Sequence, residues 1–164
     1  THNLLTRRNW QPARIVAVLR PEMTDVYGEQ RAQLKGPDLT VNARATLALG
    51  MAFHELATNA AKYGALSVDD GVVRLNWVRI DEGQGERLVL TWEETGGPSV
   101  KPPERHGFGT QLVRTTIEGS LGGLFTPSFE PAGFRCVIMV PFDRIAGVDD
   151  DANAELEQDL GAVC

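Results

Sequence analysis

The sequence predicts a single domain that mixes α-helix and β-strand, and three features carry that expectation. A run from Asn42 to Tyr63 holds no proline and one internal glycine, with Asn42 placed as an N-cap and Gly64 as the residue past the C-terminus. It reads as one buried helix. Val72 to Ile80 and Arg87 to Glu93 alternate apolar and polar residues with the period of two that a half-buried strand requires. Two glycine-rich stretches, E-E-T-G-G-P at 93–98 and G-F-G-T at 107–110, mark where a strand ends and where a helix begins.

Taken in order, T-H-N-L-L-T-R-R-N-W at 1–10 reads as the tail of a preceding helix or a linker. Residues 1–12 therefore stand apart from a domain spanning 13–145 and an acidic tail over 146–164. The first residue is Thr1 rather than Met, as in an excised fragment. Pro12 suits the first turn of a helix that runs to about Arg20 and stops at Pro21. Arg31 to Leu34 and Leu39 to Val41 are short strands joined by Lys35-Gly36-Pro37-Asp38, a turn-forming set. Past the long helix, Asp69-Asp70-Gly71 turns the chain into the first alternating strand, and the polar loop Asp81 to Glu86 reverses it into the second. Pro98, Pro102 and Pro103 keep the following stretch out of regular structure. A helix then runs from Gly107-Phe108-Gly109-Thr110 to about Gly119. Leu124 to Phe129 and Gly133 to Phe142 form a last hairpin over Pro131-Ala132-Gly133. From Ala146 the chain is acidic with few large apolar residues, which predicts a mobile tail or a frayed helix.

Composition narrows the possible functions. With 164 residues, 42% hydrophobic and 23% charged, the chain can bury a core. A net charge of −6 and no Lys/Arg-dense run argue against nucleic acid or an anionic membrane as partner. No apolar run approaches the roughly 20 residues that span a bilayer, and no signal peptide opens the chain, so a cytoplasmic location without direct membrane contact is expected. Cys136 lies in a strand pattern and Cys164 at the end, which excludes a CxxC site and makes Cys136 a small core residue. His2, His54 and His106 share no ligand spacing.

At about 100° per residue, Leu49, Phe53, Leu56 and Ala60 fall on one side of the long helix, while Glu55, Asn59 and Lys62 fall within about 60° of each other on another. A carboxylate and an amide oxygen suit Mg²⁺ and an ammonium suits phosphate. The plain alternative is a solvated Glu/Lys pair with an Asn neighbour, which is common on helices.

What decides between these is the order of three segments. H-E-L-A-T-N-A-A-K-Y-G-A-L-S at 54–67, T-W-E-E-T-G-G-P at 91–98 and G-F-G-T-Q-L-V at 107–113 closely resemble the N, G1 and G2 boxes of the ATP-binding domain of sensor histidine kinases, within the wider GHKL superfamily. His54 directly before Glu55, with Trp92 and Glu94 spaced as W-x-E, resembles the HWE subfamily. Glu55 and Glu94 replace the Asn and Asp usual in the superfamily, as that subfamily does. Near the end, G-F-R-C-V-I-M-V-P at 133–141 lacks a threonine that often helps at the adenine.

The resemblance implies an α+β two-layer sandwich of the Bergerat ATP-binding type, with a mixed, largely antiparallel sheet covered on one face by helices. It implies ATP and Mg²⁺ as cofactors, with Asn59 and Glu55 on the metal side, Lys62 neutralising phosphates, and Glu94 accepting a hydrogen bond from the adenine amino group. Gly96 and Gly97 would let the backbone approach the ring, and Gly107, Phe108, Gly109 and Thr110 would open a helix whose free N–H groups cradle phosphate. Tyr63 would complete the nucleotide pocket, and Lys101 and Arg105, on a short lid, would close on the phosphates. Trp92 is expected in the core or beside the pocket. His54, implied at the catalytic centre, would orient Glu55 or the phosphates, or sit satisfied behind them. The γ-phosphoryl would pass to a histidine on a dimerisation helix of the same or a partner protomer and then to a response regulator, the full-length protein being a homodimer. His2 lacks the charged helical surroundings of such an acceptor, so this chain should not phosphorylate itself. Two rivals remain: a GHKL ATPase clamp, favoured by Glu55 as a general base but lacking the usual Asp at Ala61, and a docking module that has lost catalysis.

Overall fold

The long helix spans Ala43–Lys62, and local chemistry explains where it starts. Asn42 is extended, and its side-chain oxygen accepts the Ala45 N–H at 2.9 Å, the N-cap bond that satisfies one of the helix's free donors. The same amide donates to the Arg144 carbonyl at 2.9 Å, so the cap also fastens the helix to the short C-terminal helix Phe142–Ile145. The buried face consists of Ala45, Ala48, Leu49, Ala52, Phe53, Leu56, Ala57 and Ala60, which includes all four residues expected there. Five of the eight are alanine, so the helix backbone can lie close to the layer beneath it.

That layer is a sheet. The computed structural model describes residues 11–83, 85–98 and 108–147, and these hold seven strands. The strands β1 (Ala13–Arg14) and β3 (Thr40–Val41) pair antiparallel as a small separate ribbon. The strands β2 (Ala32–Lys35), β4 (Val72–Asp81), β5 (Glu86–Thr95), β6 (Leu124–Glu130) and β7 (Gly133–Pro141) form a five-stranded sheet in the order β2-β4-β5-β7-β6. Only the β2–β4 pair is parallel. Register sets which residues face the helices. Leu75, Trp92 and Cys136 are aligned across three strands, as are Trp77, Leu90 and Ile138, and all six are buried. The mixed sheet with helices on one face is the expected two-layer architecture.

The N-terminal region differs from the sequence reading. Instead of one helix from Pro12 to Arg20, residues 13–14 pair with β3, a helix covers Ile15–Leu19, and a 3₁₀ turn covers Arg20–Glu22. The α-helix ends just before Pro21, as expected, and Pro21 lies in the first positions of the 3₁₀ turn, where its missing N–H costs nothing. A further helical turn, Thr24–Tyr27, leads into β2. The two short strands around residues 35–38 do not pair with each other. Their connection instead packs under Trp77, whose indole N–H donates to the Pro37 carbonyl at 2.6 Å.

The helix expected to run to about Gly119 is α-helical over Phe108–Arg114 and continues as a π-helical stretch over Thr115–Ser120. Phe142–Ile145, which the composition did not signal, carries Phe142 beneath the Arg79 guanidinium, 3.9 Å from the ring centre. Residues 1–10 and 148–164, with His2 and the acidic tail, lie outside the described residues.

Gly50 sits mid-helix with room for a side chain, since an added Cβ would come no nearer than 3.9 Å to Val18 Cγ1. Gly50→Ala should therefore stabilise the domain by about 0.5–1 kcal/mol. Urea unfolding would show this as a raised midpoint at unchanged slope.

Candidate nucleotide-binding site

The site is built around a carboxylate in a core-facing position. Along β5, Leu88, Leu90, Trp92 and Glu94 alternate toward the helical layer, and Glu94, at the end of that row, is only 6% exposed. Its two oxygens are held separately. Oε1 accepts the Ala65 N–H at 3.0 Å and Oε2 accepts the Trp92 indole N–H at 2.9 Å. Ala65 opens the 3₁₀ turn Ala65–Ser67 that directly follows the long helix. Glu94 thus ties the end of β5 to the C-terminal end of the helix that carries Glu55, Asn59 and Lys62.

Glycines make the approach possible. Gly64, the residue past the helix end as expected, has φ −112° and ψ −148°. Its reason is space, because a Cβ there would overlap Glu94 Oε1. A Cβ on Gly97 would lie 2.6 Å from Ala65 Cα, and one on Gly96, the left-handed member at φ +74°, would lie 2.8 Å from the Asp70 carbonyl oxygen. Gly96 and Gly97 were expected to make room for a base. In this structure they first make room for the turn at residues 65–71.

Burial pushes the Glu94 carboxyl up from its ordinary pKa, while the bonds from Trp92 and Ala65 pull it down. Burial also pushes the Cys136 thiol up, with the Glu94 charge adding to the effect, so this cysteine is an inert core residue as expected. Trp92 is fully buried with its ring 6.0 Å from Phe53.

On the long helix, Glu55 and Asn59 are half-buried and Lys62 is exposed. Among the described residues, no hydrogen bond or ion pair engages these three side chains. Tyr63 is 76% exposed. His54 points elsewhere: its Nδ1 lies 2.6 Å from Glu22 Oε2, tying the helix to the turn Arg20–Glu22. Phe108 and Gly109 form the first turn of their helix and Thr110 follows, half-buried. Lys101, Arg105 and Gly107 lie outside the described residues. Sequence reading missed that Trp92 and the Ala65 N–H both act on Glu94. The W-x-E spacing carried the first signal, since residues two apart on a strand share a face.

No family model matches the chain. It is 33% identical over 142 residues to a blue-light-activated histidine kinase of Brucella ovis, a match covering 85% of this chain and 29% of that protein. The chain thus spans under a third of the length of this relative. Its fold matches the catalytic domain of histidine kinase ThkA with a TM-score of 0.60 at 14% identity, covering 80% of this chain and 94% of that one. In sequence the chain is similar to a histidine kinase, and its fold is that of histidine kinase catalytic domains. The histidine kinase domain of an Erythrobacter litoralis blue-light activated histidine kinase also matches, with a TM-score of 0.58 at 21% identity over 74% of this chain and 56% of that one. ThkA in complex with the response regulator TrrA matches with a TM-score of 0.54 at 16% identity, over 80% of this chain and 41% of that one. Among the described residues, no helix is long and apolar enough to cross a membrane.

The raised Glu94 pKa makes a prediction about the stability of this domain. Folding favours the protonated acid, so its contribution to stability is full below the ordinary value of 4.5 and is lost as pH rises through the higher folded value. Measured against Glu94→Gln, the thermal midpoint of the parent should fall as pH rises above 4.5. A difference that stays flat with pH would contradict the burial argument.

Proposed function

We propose that this chain is the Mg-ATP-binding catalytic domain of a two-component histidine kinase of the HWE type. The observation that supports this best is the junction at Glu94. A carboxylate acceptor, buried in a core-facing position, sits one turn beyond a helix whose polar face offers uncommitted amide and carboxylate oxygens. Such an arrangement reads a base at one end and meets phosphates along the other.

Mg²⁺ arrives with ATP as part of the substrate. The donors present fit it, since Asn59 and Glu55 supply hard oxygens one helical turn apart, and phosphate and water would complete its coordination. Asn59 would bind the metal from the protein side, with Glu55 contacting it directly or through water. Lys62, exposed and flexible, would meet phosphate as a point charge. Gly107, Phe108, Gly109 and Thr110 would bring the positive end of a helix to the phosphates, and Arg105 would close over them. Tyr63 would lie beside the nucleotide, and Gly96 and Gly97 along the base.

The γ-phosphoryl would then go to a histidine on a separate dimerisation helix, and from there to a response regulator in the cytoplasm. The ThkA complex with TrrA supports that class of partner. In such a phosphoryl transfer the protein contributes mainly positioning and charge.

Calorimetric titration tests the reading. ATP should bind with Mg²⁺ and much more weakly without it, and Asn59→Ala should weaken Mg-ATP by at least about tenfold, the loss of one charge-assisted contact. Labelled phosphate should not accumulate on this chain alone. Absence of ATP binding to folded protein would overturn the reading.

A further inference from the structure

Trp92 carries more than core packing. Its ring is fully buried, 6.0 Å and 34° from that of Phe53, and its register partners Leu75 and Cys136 are buried as well. An indole N–H can only donate, and this one donates to Glu94 Oε2 at 2.9 Å. The Ala65 N–H holds Oε1 at 3.0 Å. Both partners of the carboxylate are donors, and both favour its ionised form against the burial that opposes it. The other titratable groups near this end of the sheet do little to offset them. The Cys136 thiol stays neutral, and Arg135 is engaged with Glu93 at 3.5 Å. Each oxygen keeps a second lone pair.

We propose that Trp92 is the positioning residue for base selection: its indole N–H holds Glu94 Oε2 and so orients the carboxylate as an acceptor that takes a purine with an exocyclic amine over one with a carbonyl at that edge. The proposal rests on the nucleotide reading above. An ionised carboxylate accepts from the amine of adenine and repels the carbonyl oxygen of hypoxanthine. A carboxylate freed of the indole can rotate and protonate, and a protonated carboxyl tolerates either edge.

Two replacements remove the N–H. Trp92→Phe keeps an aromatic ring against Phe53, and site-specific β-(3-benzothienyl)alanine keeps the shape and volume of the indole. If the phenylalanine variant fails to fold, the isostere is read alone. ATP and ITP affinities are measured for each across mildly acidic to mildly alkaline pH. The expected result is a roughly tenfold fall in the preference for ATP over ITP, the scale of one hydrogen bond to a charged group. ITP affinity should rise or hold rather than fall, and the variants' ATP affinity should rise with pH as Glu94 ionises. Equal losses for ATP and ITP, or an unchanged preference, would assign Trp92 to packing alone and overturn the proposal. Failure of the unmodified domain to bind ATP would instead remove the nucleotide reading itself.

Discussion

The hydrogen bond from the Ala65 N–H to Glu94 is the interaction on which the rest of the site depends. It joins the two elements that matter most, the strand that ends in Glu94 and the helix that carries Glu55, Asn59 and Lys62. With the buried Ala65 and Leu66 and the Arg31 side chain, which donates to the Gly71 carbonyl at 3.3 Å and to the Val68 carbonyl, it holds the turn after the helix against the sheet. A buried carboxylate costs free energy unless its oxygens are bonded. Here that cost holds the geometry, because satisfying Glu94 requires both Trp92 and the turn at Ala65 to be in place.

The surroundings follow from that requirement. Gly64 and Gly97 give the room that lets backbone meet carboxylate, and Gly133 lacks the Cβ that would overlap the Glu94 carbonyl oxygen from the neighbouring strand. The alanine-rich face of the long helix lets it lie close to the sheet, so that Phe53 reaches Trp92. Packing in the core and chemistry at the site therefore share residues. Trp92 fills the centre of the sheet with its ring and orients the site with its edge.

Much of this was legible in the sequence, and the reasons are local. Asn42 capped its helix because the amide reaches back to Ala45, a bond set within four residues. Strands β4 and β5 followed from alternation, since one face of each is buried. The N-terminal region was less legible because tertiary pairing decided it: Ala13 joins Val41, a partner that no local pattern marks. Gly64 stands past the helix end as the sequence marked, but why that place needs a glycine was not legible. A carboxylate arriving from residue 94 leaves no trace in the sequence near residue 64. His54 is a similar case, bonded to Glu22 across a gap that spacing on one helix does not reveal.

The most direct test is an amide and indole ¹H–¹⁵N spectrum of the domain as Mg-ATP is added. The account predicts that the Ala65 amide, the Trp92 indole and the Asn59 side-chain amide shift together along one binding curve, since one nucleotide would touch both ends of the junction. Shifts confined to other parts of the fold, with these three signals unmoved at saturation, would contradict it.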